Sequence, residues 1–133
     1  MPAQSVALRP WTVLVVGAVV LLSTVAPAAT APATSAACLG SPTTIEGTPS
    51  EDVIYGTPGA DVAAAFAGRD VIHGRAGDDR LCGGRGSDVL LDGMGTDLID
   101  GGDGADLLYL CPDGAVDRWT RVERVVVSTR ACT

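Results

Sequence analysis

The sequence predicts an all-β fold: a parallel β-roll, a two-sheet solenoid of nine-residue repeats, closed by a C-terminal capping strand. Three observations predict it. Seven aspartates, Asp52, Asp61, Asp70, Asp79, Asp88, Asp97 and Asp106, stand nine residues apart without a slip. Two residues before each sits Gly59, Gly68, Gly77, Gly86, Gly95 or Gly104, with Ser50 in that place in the first unit. Two residues after each comes an aliphatic: Ile54, Ala63, Ile72, Leu81, Leu90, Ile99 and Leu108. A fixed period of this kind sets the architecture before any local reading, because each period is one structural module that stacks on the next.

Residues 1–28 read as an export signal. Arg9 supplies the positive start, Trp11 to Leu22 is an uncharged apolar run, and Ala26-Pro27-Ala28 is a small-residue cleavage box. The strongly apolar run is shorter than the ~20 residues that span a bilayer, so a cleaved leader is expected rather than an embedded anchor. The mature protein is then secreted. Residues 29–46 form a linker and N-terminal lead-in, small and unperiodic at first (Ala-Thr-Ala-Pro-Ala-Thr-Ser).

The repeats run from Gly47 to Tyr109: GTPSEDVIY, GTPGADVAA, AFAGRDVIH, GRAGDDRLC, GGRGSDVLL, DGMGTDLID and GGDGADLLY. The first six residues of a unit are rich in Gly, which turns the chain tightly at little steric cost. The last three, such as Val53-Ile54-Tyr55, suit a short strand. A turn plus a strand reverses direction once, so two units make one coil of 18 residues, and coils stack as parallel strands ~4.8 Å apart. The aliphatics then point between the sheets. The aspartates fall into two columns, Asp52, Asp70, Asp88 and Asp106 on one edge and Asp61, Asp79 and Asp97 on the other.

Stacked carboxylates repel by ~1 kcal/mol in water and ~3–4 at a typical surface dielectric, so the columns oppose folding without a counter-ion. Ca²⁺ takes oxygen ligands at ~2.3–2.6 Å and spans two carboxylates at the coil spacing, whereas Mg²⁺ demands ~2.0–2.1 Å and strict octahedral geometry. Calcium is the expected ligand, and folding is expected to be coupled to its binding.

The consensus G-G-x-G-x-D-x-U-x, with U aliphatic, resembles the repeats-in-toxin family, also called haemolysin-type calcium-binding repeats. The resemblance implies ions held between stacked turns by their aspartates and by carbonyls of the glycine-rich loop. Carried onto this chain, the pairs are Asp52/Asp70, Asp70/Asp88, Asp88/Asp106, Asp61/Asp79 and Asp79/Asp97, up to about five ions. The chain departs from the consensus at Thr48 and Ser50, at Ala65 and Phe66, and at Asp92. Family members often carry such repeats behind a protease or lipase domain and leave the cell through a C-terminal signal. This chain, with its N-terminal leader, reads instead as a stand-alone repeat protein. Abundant Ala, Gly and Arg without Lys fit a high-GC bacterial source.

Residues 110–133 read as a disulfide-linked cap. The segment Val122-Glu123-Arg124-Val125-Val126-Val127 supplies the strand that covers the exposed edge of the stack. The four cysteines allow three connectivities in an oxidising compartment. Cys38–Cys82 with Cys111–Cys132 is favoured, the first clamping the lead-in to the repeats and the second pinning the tail.

Composition narrows the function. A formal net charge of −7 without a basic patch argues against nucleic acid. No catalytic residue is assigned: His73 is the lone histidine, without a paired nucleophile, and no phosphate-loop or EF-hand spacing occurs. The expected function is a calcium-binding extracellular scaffold that is not an enzyme. Outward Arg69, Arg75 and Arg85 could meet a cell-surface partner. A calcium buffer or sensor is the alternative, and a polysaccharide-active enzyme or an enzyme's remnant repeat domain the remoter one.

Overall fold

The computed structural model describes residues 37–132. The expected export signal and the linker up to residue 36 lie outside the described residues. The rest is a β-solenoid, as the repeat period requires. In chain order the strands are β1 (Ala37–Cys38), β2 (Ser41–Pro42), β3 (Ile45–Glu46), β4 (Val53–Tyr55), β5 (Val62–Ala64), β6 (Ala67–Gly68) and β7 (Val71–His73). They continue with β8 (Arg80–Gly86), β9 (Val89–Leu91), β10 (Leu98–Asp103), β11 (Leu107–Leu110), β12 (Arg118–Thr120) and β13 (Arg124–Val127), followed by a 3₁₀ turn at Thr129–Cys132.

Two parallel sheets form the walls. One runs β3-β5-β8-β10-β12, with β6 added beside β8, and the other runs β4-β7-β9-β11-β13. The register follows the two-unit coil: Ile54 pairs with Ile72, Ile72 with Leu90 and Leu90 with Leu108. On the facing wall Ile45 pairs with Ala63, Ala63 with Leu81 and Leu81 with Ile99. These side chains meet in a single-file core that also holds Ala65 and Leu110. At ~1.5–3 kcal/mol per buried aliphatic, so thin a file leaves much of the fold's cohesion to its backbone ladders and turns.

Both ends extend beyond the regular repeats. At the N-terminus the stack starts before Gly47, because Ile45 already occupies an inward position against Ala63. Residues 37–42 fold as an antiparallel hairpin, β1 with β2, tethered by Cys38–Cys82. At the C-terminus the expected single capping strand is corrected to two, one for each sheet. β12 extends the first wall by pairing Ile99 with Trp119, and β13 the second by pairing Leu108 with Val125. A coil has two walls, so an end cap must block two edges. Cys111–Cys132 ties the final turn to the last coil, giving the favoured pairing of the four cysteines. Loop closure of this kind is worth ~3–4 kcal/mol in the chain-entropy account.

Candidate metal centre

The turns bring the repeat aspartates into the two expected columns, and one hydrogen bond does the stacking. The backbone N–H of each aspartate donates to Oδ1 of the aspartate one coil later. Asp52 donates to Asp70 at 2.8 Å, Asp70 to Asp88 at 2.9 Å and Asp88 to Asp106 at 2.9 Å. In the other column Asp61 donates to Asp79 at 2.8 Å and Asp79 to Asp97 at 2.7 Å. The repulsion expected between stacked carboxylates is thus partly offset by a backbone dipole between each pair.

Each column then runs one step past the last repeat. Asp97 N–H donates to Asp117 Oδ1 at 3.0 Å, and Asp106 N–H to Glu123 Oε2 at 2.6 Å. Asp117 and Glu123 escaped the period because they stand 20 and 17 residues beyond their predecessors rather than 18. A signal was present all the same. Each acid is followed two residues later by an apolar residue, Trp119 and Val125, as in the repeats.

The second carboxylate oxygen separates the turns into two kinds. In the first two units a Thr-Pro turn satisfies it. Asp52 Oδ2 accepts from Thr48 N–H at 2.6 Å and Thr48 Oγ1 at 2.9 Å, and Asp61 Oδ2 accepts from Thr57 N–H and Oγ1 at the same distances. In later units the residue at this place is Phe66, Arg75, Gly84, Gly93 or Gly102, all with positive φ. None offers a hydroxyl. There Oδ2 of Asp70, Asp79, Asp88, Asp97 and Asp106 is buried with no hydrogen-bond partner, and so is Oδ2 of Asp92. A buried, unsatisfied polar atom costs about 1–3 kcal/mol, more when charged, so a row of them is suited to a bound cation.

The electrostatics agree. Burial pushes Asp79 up to about 7, against the pull of the Asp61 N–H, with the charges of Asp61 and Asp78 adding to the rise. Burial also lifts Asp97 to about 7 and Asp92 to about 6. Asp70, Asp88 and Asp106 move in the same direction for the same first cause.

Carbonyls of the next coil gather beside these orphaned oxygens. A Cβ placed on Gly83 would lie 2.5 Å from Asp88 Oδ2 and 2.5 Å from the Gly101 carbonyl oxygen. On Gly101 it would meet Asp106 Oδ2 at 2.6 Å and the Arg121 carbonyl oxygen at 2.2 Å. On Gly74 it would meet Asp79 Oδ2 at 2.7 Å and the Asp92 carbonyl oxygen at 2.1 Å. The missing side chain therefore leaves a cradle lined by a carboxylate and a carbonyl oxygen. A donor set of oxygens alone, mixing carboxylate with carbonyl, is the chemistry of a hard cation, and it fits calcium.

Other candidates take structural places. His73 stacks on Tyr55 with ring centroids 4.8 Å apart, and the Arg75 guanidinium lies 5.4 Å over the same tyrosine. Arg121 of the cap forms a two-pronged pair with Asp100, its Nε donating to Oδ1 at 2.7 Å. Among the described residues no helix is long and apolar enough to cross a membrane.

The family model of the RTX calcium-binding nonapeptide repeat, itself four copies long, matches residues 43–65, 55–90 and 83–110. No curated protein and no solved structure gives a significant match. The matched stretches together span half of the chain and coincide with the turns that carry the columns.

Proposed function

The chain belongs to the RTX calcium-binding nonapeptide repeat family, and on that premise we propose that it is a secreted scaffold whose turns bind Ca²⁺ and fold on binding. One observation carries the reading: the unbroken row of buried, unpartnered Oδ2 atoms from Asp70 to Asp106. Asp70, Asp88 and Asp106 would hold ions along one column and Asp79 and Asp97 along the other, with turn carbonyls completing each set. Asp52 and Asp61 close the columns and contribute least, since Thr48 and Thr57 already satisfy them. Bound calcium supplies the positive charge that buried carboxylates lack. The residues of the chain do the rest: the column hydrogen bonds aim the carboxylates, and the position-one glycines leave room beside them.

Secretion is supported by two disulfides, which persist outside the reducing cytoplasm. A role in extracellular structure or interaction suits a rigid stack whose Arg69, Arg75 and Arg85 are exposed. The test is a calcium titration followed by circular dichroism, with bound metal counted by elemental analysis. The wild-type chain should gain β signal cooperatively and lose it to chelator. Asp88→Ala should raise the calcium midpoint at least about tenfold, and Asp52→Ala less than about threefold, because affinity follows ligand charge and rigidity. Equal shifts, or a wild-type spectrum indifferent to calcium, would count against the reading.

A further inference from the structure

Asp92 opens the sixth unit where five of the other units have glycine. A side chain there should collide with the next coil. On Gly74, Gly83 and Gly101 an added Cβ would fall 2.1, 2.5 and 2.2 Å from a carbonyl oxygen of the following coil. Position 92 escapes because the chain leaves the repeat path just above it, at Cys111-Pro112, where the cap begins. The Asp92 carboxylate fills the space. It is fully buried, and its Oδ1 accepts from Gly93 N–H at 2.6 Å and from Cys111 N–H at 2.9 Å.

Two more carboxylates stand close to it. Ligand oxygens of Asp92, Asp97 and Asp117 lie within 4.8 Å of one another. Asp97 is fully buried too, and its Oδ1 is engaged by the Asp79 N–H, while Asp117 is half-buried with Oδ1 on the Asp97 N–H. Oδ2 of Asp92 and Oδ2 of Asp97 are both buried without a partner. Arg121 of the cap directs its ion pairs elsewhere, to Asp100 and Asp103. Three acids meeting at one point, two of them with an unsatisfied oxygen, need a cation.

We propose that Asp92, Asp97 and Asp117 form a calcium site of their own at the junction between the sixth repeat and the cap. It differs from the repeat sites in kind. Three side-chain carboxylates replace the repeat pattern of aspartates with turn carbonyls, and one of them comes from outside the repeats. Affinity of such sites rises with ligand charge and rigidity, so this site fills first as calcium is raised. The ion also fastens the cap, because Asp117 leads into β12 and Asp92 holds the N–H of disulfide-bonded Cys111. The choice of calcium rests on the proposed function; the clustering of the three acids does not.

Trp119, two residues from Asp117, makes the site readable apart from the repeats. Terbium added to the full chain carrying Trp11→Phe, which leaves Trp119 as the one tryptophan, and excited through tryptophan reports an ion near this residue, while circular dichroism and metal counting report the whole stack. In wild type the tryptophan-excited signal should saturate before the dichroism change is complete, and calcium should compete it away. Asp92→Asn keeps an oxygen for the Gly93 and Cys111 N–H groups but removes a charge, and should weaken terbium and calcium at this site at least about tenfold. Asp92→Gly restores the glycine of the repeat pattern, so it should fold and lose the early phase. Asp88→Asn, in the opposite column, should leave the tryptophan-excited phase in place while shifting the dichroism midpoint. Terbium curves for the two Asp92 variants that overlay wild type would overturn the site. A wild-type early phase without any calcium-dependent dichroism would instead uphold this site and sink the repeat-wide reading.

Discussion

The first two turns and the later five share a period yet solve the same problem in opposite ways. Thr48 and Thr57 cap the Asp52 and Asp61 carboxylates from within their own turns, with Pro49 and Pro58 following. From Asp70 onward that hydroxyl is gone, the residue in its place has positive φ, and one carboxylate oxygen per turn is left buried and unsatisfied. The N-terminal turns thus satisfy their carboxylates from their own residues, whereas each later turn leaves an oxygen without a partner among the described residues. On the proposed function, a solenoid built this way has one self-sufficient end and one that metal completes.

Glycine substitutions should break the comparison hardest. Gly86 has φ +140°, and an added Cβ would lie 1.6 Å from the Gly68 carbonyl oxygen. Gly59 occupies the same place in a Thr-Pro turn, without positive φ, and the nearest atom to its added Cβ is Thr57 Oγ1 at 3.8 Å. Gly86→Ala should cost about 3 kcal/mol or more from backbone strain and overpacking together. Gly59→Ala should stay within about 1 kcal/mol, with the smaller unfolded-state entropy in its favour. Urea unfolding in saturating calcium measures both, and similar losses would mean that the two kinds of turn are not distinct.

Acidity should sharpen it next. Asp79 and Asp97 are raised from 3.8 to about 7 in the metal-free fold. A group raised on folding contributes stability that is present below its unfolded value and lost as pH rises through the folded one. With chelator present, β structure should therefore be favoured near pH 4, weaken as pH rises from there to about 7, and level off above that. Calcium reverses the slope, because protons compete with the ion for the same oxygens. Thermal melts across pH, with and without chelator, should give lines of opposite sign. A chelated chain most stable at pH 8 would refute the desolvation account.

The smallest effect should come from Thr57→Val, which removes the hydroxyl that caps Asp61. It should destabilise the chain by about 1 kcal/mol, and by nearly the same amount with and without calcium, since this cap needs no ion. A loss seen only in calcium would place an ion at that turn.

The disagreements between sequence and structure concentrate where the path of the backbone changes. Asp92 looked like a flaw in the sixth unit, because a repeat read by itself demands glycine there. Only the departure of the chain at Cys111 shows why a carboxylate is tolerated. Asp117 and Glu123 belonged to no period, since the cap takes 20 residues for one coil step and 17 for the other. Trp119 and Val125 marked them, but two apolar residues in an aperiodic tail do not announce a column. Strand β12 was missed for a related reason: Arg118-Trp119-Thr120 is too short a run to read as a strand by itself and is one because β10 offers an edge.

The sequence by itself determined the nine-residue module, the two-wall solenoid and the division of the aspartates into two columns. These follow from local rules, because a fixed spacing repeated without insertion stacks like on like whatever the neighbours are. The tertiary structure alone decided which carboxylate oxygens are satisfied and which are buried without a partner. It also decided where the columns end, and how three acids from the sixth repeat and the cap converge. The reason is that a hydrogen-bond partner one coil away is fixed by the path of the chain between coils, and beyond the last repeat that path has no period to read.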